Sequence, residues 1–324
     1  MAEVREVKYL SYSSFKLFES DPEMFYRRYL AIKRPPREPQ NHYMAIGSAF
    51  DAFCKADLHK EFVNDNDPKY SREALFETQV EPHNRDRAKV DGQLVYERYI
   101  KVGAYADLQR DMKGCMGARF EADITATLEI PRLPGGIVIL GKPDVMYISK
   151  YGARIIHDFK CQGFYSKAAP GPSAGFVKMF SGGKDHMTMH KNCMPKKHKD
   201  FMINGNAPLH ISCEDWATQL TLYAWSLGED VGSDYILSID QILSDSQKST
   251  TRVAKHAAIC TDVWQNKLYN KVHKAWHAIQ SNHVFTNMPY DKSLERCAAI
   301  DAELQSTPDD TFKEMTGGRK ERFR

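Results

Sequence analysis

Apolar positions recur at helical spacing through the first third of the chain and give way to strand-like runs in its middle. The helical spacing covers residues 12–31, where Asp21-Pro22 interrupts it, and residues 44–58 and 86–112. The strand-like runs cover residues 119–130, 137–149 and 153–159. In the third helix the predicted core positions are Val90, Leu94, Tyr96 and Ile100. The pattern therefore predicts helices that pack against a sheet formed by the middle of the chain.

Periodicity is lost over residues 161–210, where Gly, Pro, Ser, Lys and His dominate. This composition predicts a long irregular insertion, and loops of that kind are often functional. Order returns at Ser212-x-x-Asp215, which has the spacing of a capping box and predicts a helix that runs to Leu227.

The last third of the chain is predicted to hold two strands, at residues 234–243 and 251–260, and then a helix from Thr261. One face of that helix is apolar and consists of Trp264, Leu268, Val272, Ala275 and Ile279. The tail from Ser306 has few apolar residues and is predicted to be disordered.

These elements predict a mixed α/β (α+β) fold, a central mixed sheet flanked by helices, in one domain over residues 1–305. A chain of 324 residues is long enough to bury a core of that size. The predicted parts are a helical N-terminal part (11–112), a sheet (119–160), the insertion (161–210), a unit of helix, strands and helix (212–281) and the tail (306–324).

Three charged side chains, Asp144, Asp158 and Lys160, lie on a predicted hairpin with its turn at residues 150–152. Neighbouring strands bring the two carboxylates together in an oxygen-rich site suited to Mg²⁺ or Mn²⁺. Lys160 projects from the same face as Asp158, because side chains alternate along a strand. The apolar neighbours of Asp158 predict burial, which is costly for a carboxylate unless it is paired or metal-bound. A cation beside a lysine suits phosphodiester hydrolysis, since the cation polarises the phosphate and the lysine orients water or stabilises charge.

The pattern Pro143-Asp144 followed by Asp158-x-Lys160 resembles the signature of the PD-(D/E)xK nucleases. Other segments resemble motifs of the RecB-type exonuclease branch that phages and prophages carry, and they occur in the same order. They are residues 11–29 (its opening helical segment), Gly47-x3-Asp51 (its Gly-x3-His motif, with Asp in place of His) and Gln219-x3-Tyr223 (its Gln-x3-Tyr motif). The resemblance spans residues 11–280.

The resemblance implies a restriction-endonuclease-like PD-(D/E)xK core and a Mg²⁺-dependent DNA exonuclease in which Mn²⁺ substitutes for Mg²⁺. The implied metal ligands are Asp51, Asp144, Asp158, the Phe159 backbone carbonyl and Glu129, with Glu121 as the alternative to Glu129. The implied catalytic residues are Asp144, Asp158, Lys160 and Gln219. Gln219 is expected to contact the lysine or the DNA backbone, and Tyr223 is expected to support DNA or the sheet. Such an enzyme resects double-stranded DNA ends for recombination, and a single-strand annealing protein is a candidate partner.

Other functions fit the same residues. One is a structure-specific or restriction-like endonuclease on the same core, and another is a nucleic-acid-binding protein whose nuclease core has lost activity. The intact Asp144, Asp158 and Lys160 set favours an active enzyme. Gln219 and Tyr223 at i and i+4 are also compatible with an ordinary amphipathic helix.

The formal net charge of +3 does not by itself indicate a nucleic-acid partner, but basic residues cluster locally. One cluster lies within residues 27–37 and another within 184–199. The predicted DNA contacts are Arg34, Lys184, Lys191, Lys196, Lys197 and Lys199. The alternative for both clusters is a solvated surface.

Seven cysteines without regular spacing favour a reducing compartment, and no run approaches the length of a membrane span, so we expect a cytoplasmic protein. Some RecB-type relatives hold an iron–sulfur cluster, but Asp21-Pro22 stands at the position of their first Cys-Pro, and no cluster is expected. The histidines and cysteine between residues 186 and 198 match no known zinc module, so we also expect no zinc site.

Overall fold

The computed structural model describes residues 7–120, 124–128, 136–163, 196–198, 201–203, 209, 213–245 and 250–308. The helices in these residues are α1 (Tyr12–Ser20), α2 (Pro22–Phe25), α3 (His42–Phe62), α4 (Arg72–Gln79), α5 (Arg85–Lys101), α6 (Ala104–Met112), α7 (Glu214–Ser226), α8 (Asp262–Gln280) and α9 (Tyr290–Ser306). The strands are β1 (Met116–Phe120), β2 (Ile124–Leu128), β3 (Ile137–Gly141), β4 (Val145–Ile148), β5 (Arg154–Gly163), β6 (Lys196–His198), β7 (Phe201–Ile203), β8 (Ile236–Asp245) and β9 (Thr250–Ile259).

The described strands form a mixed sheet in the order β1-β4-β5-β8-β9-β7-β6. The β5–β8 and β7–β9 pairs are parallel, and the other neighbours in this sheet are antiparallel. Strands β2 and β3 form a separate antiparallel pair, to which Leu10 adds a parallel bridge at Ile139. The expected mixed α/β architecture with a mixed sheet and flanking helices is therefore confirmed.

Helices cover both faces of the large sheet. On one face, Ile156 of β5 and Ile239 of β8 belong to an apolar core with α1, α2, α7, α8 and α9. On the other face, Phe159 and Ile242 of the same strands belong to a second core with α3, α4, α5 and α6. Because side chains alternate along a strand, β5 and β8 are buried on both faces. Within the described residues, no helix is both long and apolar enough to cross a membrane.

Helices α3 and α5 approach closely because α5 has a glycine at their contact. A methyl group on Gly92 would lie 2.4 Å from the Ala49 Cβ. The buried face of α5 consists of Ala88, Gly92, Val95, Tyr96 and Tyr99. The prediction that Val90 and Ile100 belong to the core is wrong, since they are 68 % and 44 % exposed. The prediction for Tyr96 is confirmed, and Leu94 is partly buried. The small residues Ala88 and Gly92 that permit the close approach carry little hydrophobic signal, so the sequence pattern did not identify them as core positions.

The first helical segment is divided at Asp21, as its sequence predicts. The Asp21 side chain accepts a hydrogen bond of 2.9 Å from the Met24 backbone N–H, and Pro22 occupies the first turn of α2. Helix α2 continues into a π-helical turn at Tyr26–Leu30. The Tyr26 hydroxyl there donates a 2.7 Å hydrogen bond to Asp301 of α9, a helix that the sequence analysis did not predict. The beginning and the end of the described chain are thus packed together.

Several predicted boundaries need correction. The run at 137–149 is two strands in different sheets, since β3 pairs with β2 whereas β4 pairs with β1 and β5. Pro143 lies between them and has no N–H to donate to a ladder. The run at 119–130 is likewise divided between β1 and β2. The chain therefore passes from the small sheet to the large one just before Asp144.

Further corrections concern the insertion and the helix that follows it. Within 161–210, β5 extends to Gly163, and β6 and β7 join the large sheet. Helix α7 begins after Cys213, which makes no side-chain capping hydrogen bond. Ser212, the residue of the predicted capping box, lies outside the described residues. The predictions of β8, β9 and the buried face of α8 are confirmed. The predicted disordered tail lies outside the described residues from position 309.

Candidate active site

Strands β4 and β5 bring the two aspartates of the hairpin together. Val145 pairs with His157 in the antiparallel ladder, so Asp144, one residue earlier, lies opposite Asp158. The Asp144 carboxylate accepts a 2.9 Å hydrogen bond from the Phe159 backbone N–H, which fixes it beside β5. Asp158 is 3 % exposed, so the predicted burial of this carboxylate is confirmed.

Lys160 lies on the same side of β5 as Asp158, as the alternation of the strand predicts. Its ammonium group forms an ion pair with the Asp158 carboxylate and donates a 2.8 Å hydrogen bond to the Gln219 side-chain oxygen. The Gln219 amide nitrogen in turn donates a 2.6 Å hydrogen bond to the Tyr223 hydroxyl. Lys160, Gln219 and Tyr223 therefore form a chain of polar contacts that leads away from the carboxylate pair.

Helix α7 can present Gln219 to Lys160 because it lies close against β3. A methyl group on Gly141 would lie 2.0 Å from the Ser226 side-chain oxygen and 3.1 Å from the Tyr223 Cα. Only glycine allows this approach without displacement of the helix. Gly141 thus sets the distance between α7 and β3, three residues before Asp144 in the chain.

Helix α3 adds Asp51 and a residue that the sequence analysis did not single out, Lys55. The Lys55 ammonium group forms an ion pair with Asp51 and lies 2.7 Å from the Asp144 Oδ1 atom. Lys55 is completely buried. A signal for it was present in the sequence, since Lys55 stands one helical turn after Asp51 in an otherwise apolar segment.

The charges in this group shift one another's pKa. Burial alone would raise the pKa of Asp144, but the Lys55 and Lys160 ammonium groups outweigh it and hold that pKa below its ordinary value. Burial and the neighbouring Asp144 carboxylate raise the pKa of Asp158 to about 7. Burial would lower the pKa of Lys160, but the Asp158 and Asp144 carboxylates hold it above its ordinary value. Near neutral pH, Asp144 is therefore ionised and Asp158 is partly protonated.

This pair of carboxylates fits a divalent cation. The Asp144 carboxylate raises the proton affinity of Asp158, so an added positive charge would stabilise the ionised form of Asp158, and hard cations prefer carboxylate oxygens. The Asp158 Oδ2 atom faces Lys160 yet receives no well-directed hydrogen bond from the described residues. Among the described residues, no three His, Cys, Asp or Glu side chains form a group that could hold a metal ion. The Lys55 ammonium group instead contacts both Asp51 and Asp144. The predicted ligand role of the Phe159 carbonyl stays a prediction.

Other predicted site residues do not join this group. Glu129, Glu121, Lys184, Lys191 and Lys199 lie outside the described residues, as do the candidate zinc ligands between 186 and 193. Lys196 and Lys197 lie on β6, an edge strand four strands from β5 and hence roughly 19 Å away along the sheet. Arg34 donates a 2.8 Å hydrogen bond to the Tyr29 backbone carbonyl. The DNA contacts predicted for these basic residues stay predictions.

Acidic partners neutralise two of the five basic residues within 27–37. Arg27 forms ion pairs with Glu23 and Glu303, and Arg28 forms one with Glu38. Arg27 and Arg28 are therefore paired within the protein, and the role of this cluster in DNA binding stays a prediction.

Comparisons with known proteins add little to this geometry. No protein-family model matches the chain, and no curated protein matches it. Among solved structures, the crystal structure of SSO0001 is similar at 10 % sequence identity and a TM-score of 0.24, with 70 % of this chain and 74 % of that chain covered. A similarity of this strength carries no argument about fold or function.

Proposed function

We propose that the protein is a metal-dependent deoxyribonuclease of the PD-(D/E)xK type that acts as an exonuclease on double-stranded DNA ends. The observation that carries the proposal is the Asp144–Asp158 carboxylate pair, beside which Gln219 holds the Lys160 ammonium group. A buried carboxylate beside a second, partly exposed one and a fixed lysine form a costly arrangement for a purely structural role. The choice of an exonuclease depends on the resemblance to the RecB-type exonucleases, whose motifs occur in the same order as the segments at Asp51 and Gln219.

In this proposal Asp144 and Asp158 hold Mg²⁺, together with Asp51 and the Phe159 carbonyl. The bound cation supplies polarisation of the phosphate and activation of a water molecule. Lys160 offers its positive charge beside the carboxylates, where it orients the attacking water or stabilises charge that develops on the phosphate.

The other polar side chains fix Lys160 in its place. Gln219 restricts the direction of the ammonium group through their 2.8 Å hydrogen bond. Tyr223 restricts Gln219 in the same way, and burial raises the pKa of the tyrosine, which keeps its hydroxyl protonated. Gln219 and Tyr223 thus act as positioning residues for Lys160 in this scheme.

The mode of action is tested with end-labelled linear duplex beside a closed circular plasmid, each with Mg²⁺ and with EDTA. The proposal predicts that the linear duplex is shortened from its ends, that the circle stays intact, and that EDTA stops the reaction. Cleavage of the circle would instead assign an endonuclease. DNA binding without any cleavage would contradict the nuclease proposal and favour the inactive binding protein.

The roles of the residues are tested with Asp158→Ala and Lys160→Met. We expect Asp158→Ala to lose both cleavage and Mn²⁺ binding, because it removes a ligand. Lys160→Met should lose cleavage by about 10²–10³-fold while Mn²⁺ still binds, because it removes only a positive charge. The matched control is Lys150→Met, in the exposed turn of the same hairpin, which should cleave like the wild type. Normal cleavage by either site variant would contradict the assignment.

A further inference from the structure

Lys55 is not part of the motifs that suggested the nuclease site, yet it is a completely buried charge at the centre of that site. Its ammonium group joins carboxylates from two separate elements, Asp51 of α3 and Asp144 of the segment before β4. A buried lysine is rare and costly unless it is paired. Lys55 therefore holds α3 to the hairpin through charge as well as through packing.

We infer that Asp51 and Asp144 form a cation site whose occupant in the metal-free protein is the Lys55 ammonium group, and that a divalent cation competes with Lys55 for it. This inference rests on the proposed function for the identity of the competing ion. The Lys55 nitrogen lies 2.7 Å from Asp144 Oδ1, and a Mg²⁺ ion bound to the same oxygen would lie about 2.1 Å from it. Two positive charges at the same oxygens exclude each other, so the metal displaces the lysine from at least one carboxylate.

The charge of the group explains why such a lysine is useful. Lys55 is paired with Asp51 and Asp144, and Lys160 is paired with Asp158, so two positive charges face three carboxylates. Without Lys55 the carboxylates would repel one another before any metal arrived, and α3 would lose its ionic contact with the hairpin. Lys55 thus keeps the carboxylates in place in the metal-free protein. Because it competes with the cation for the same oxygens, it also lowers the affinity of the site for metal.

The test removes the charge of Lys55 and measures metal binding directly rather than cleavage. Lys55→Met keeps the length of the side chain, and Lys55→Gln keeps a polar end without charge. Mn²⁺ binding is measured by calorimetry, and the melting temperature is measured in EDTA and in Mn²⁺. We expect both variants to bind Mn²⁺ at least tenfold more tightly than the wild type. We also expect Mn²⁺ to raise their melting temperatures by several degrees more than it raises that of the wild type.

Two controls make the result specific. Lys255→Met removes a lysine that is ion-paired with Asp111 outside the site, and it should leave Mn²⁺ affinity unchanged. The double variant Asp51→Asn/Lys55→Met lacks one of the two carboxylates, so the gain in affinity should disappear.

The outcomes separate this inference from the proposed function. Unchanged or weaker Mn²⁺ binding by both Lys55 variants would overturn the inference, even if the wild type cleaves DNA. A gain in affinity would support it, even if no DNA is cleaved. If the variants unfold in EDTA, recovery of the fold on addition of Mn²⁺ supports the inference, and failure to recover overturns it.

Discussion

The pKa of Asp158 leads to a quantitative prediction about stability. Burial and the Asp144 carboxylate raise this pKa from 3.8 to about 7 in the folded protein. The folded state therefore retains a proton that the unfolded chain has already lost, and the resulting stabilisation is present at low pH and disappears as the pH rises through 7. At about 1.4 kcal/mol per pH unit, the full effect is about 4 kcal/mol, of which about 3 kcal/mol falls between pH 5 and pH 8.

The perturbation is Asp158→Asn, which keeps the shape of the side chain and removes its titration. The free energy of unfolding is measured by urea denaturation in EDTA at several values between pH 5 and pH 8. We expect the stability of the variant relative to the wild type to rise by about 3 kcal/mol over this range. Lys160 keeps its charge throughout, since its pKa lies above its ordinary value, so it does not contribute to the slope.

Two further observations decide the interpretation. In Mg²⁺ the dependence of wild-type stability on pH should flatten, because a cation at the carboxylates favours the ionised form of Asp158. A stability difference that stays constant within about 0.5 kcal/mol from pH 5 to pH 8 would refute the reasoning. It would mean that Asp144 and Asp158 do not share one buried site.

Three other substitutions follow from particular contacts. Gly141→Ala should destabilise the protein to urea by about 1–3 kcal/mol and reduce cleavage, because the added methyl group would lie 2.0 Å from a side-chain oxygen of α7. Gln219→Leu should reduce cleavage with little change in melting temperature, because Lys160 loses its 2.8 Å acceptor but keeps its ion pair. Tyr26→Phe should lower the free energy of unfolding by about 1–3 kcal/mol without an effect on cleavage, because the buried Asp301 loses its donor.

The sequence was sufficient for the parts of the site that depend on short-range geometry. The alternation of β5 places Asp158 and Lys160 on one side, and a hairpin brings Asp144 opposite them. Both facts follow from local features of the sequence, namely the turn of the hairpin and the alternation of side chains along a strand. Lys160 and Gln219 are 59 residues apart in the sequence, so no local pattern predicts their contact. Only the resemblance to the RecB-type exonucleases indicated it.

What the sequence missed depends on packing at long range. Lys55 looks like a surface lysine until α3 is docked, and its contact with Asp144 spans 89 residues. The buried face of α5 was predicted only in part, because Gly92 contributes close approach rather than hydrophobicity. Helix α9 has buried positions at Cys297, Ile300 and Leu304 within a mostly polar segment, and that pattern is too sparse to detect alone.

The hydrogen bond between Tyr26 and Asp301 has a consequence for synthesis of the protein in the cell. The two residues are 275 positions apart, so at about 5–20 residues per second Tyr26 is made roughly 15–55 s before its partner. Throughout that interval the π-helical turn that holds the apolar side chains of Tyr26 and Leu30 lacks the helix against which it packs in the finished protein. The nascent chain therefore presents an exposed apolar segment from its first helices onward, which makes it a natural client for chaperones that bind at the ribosome.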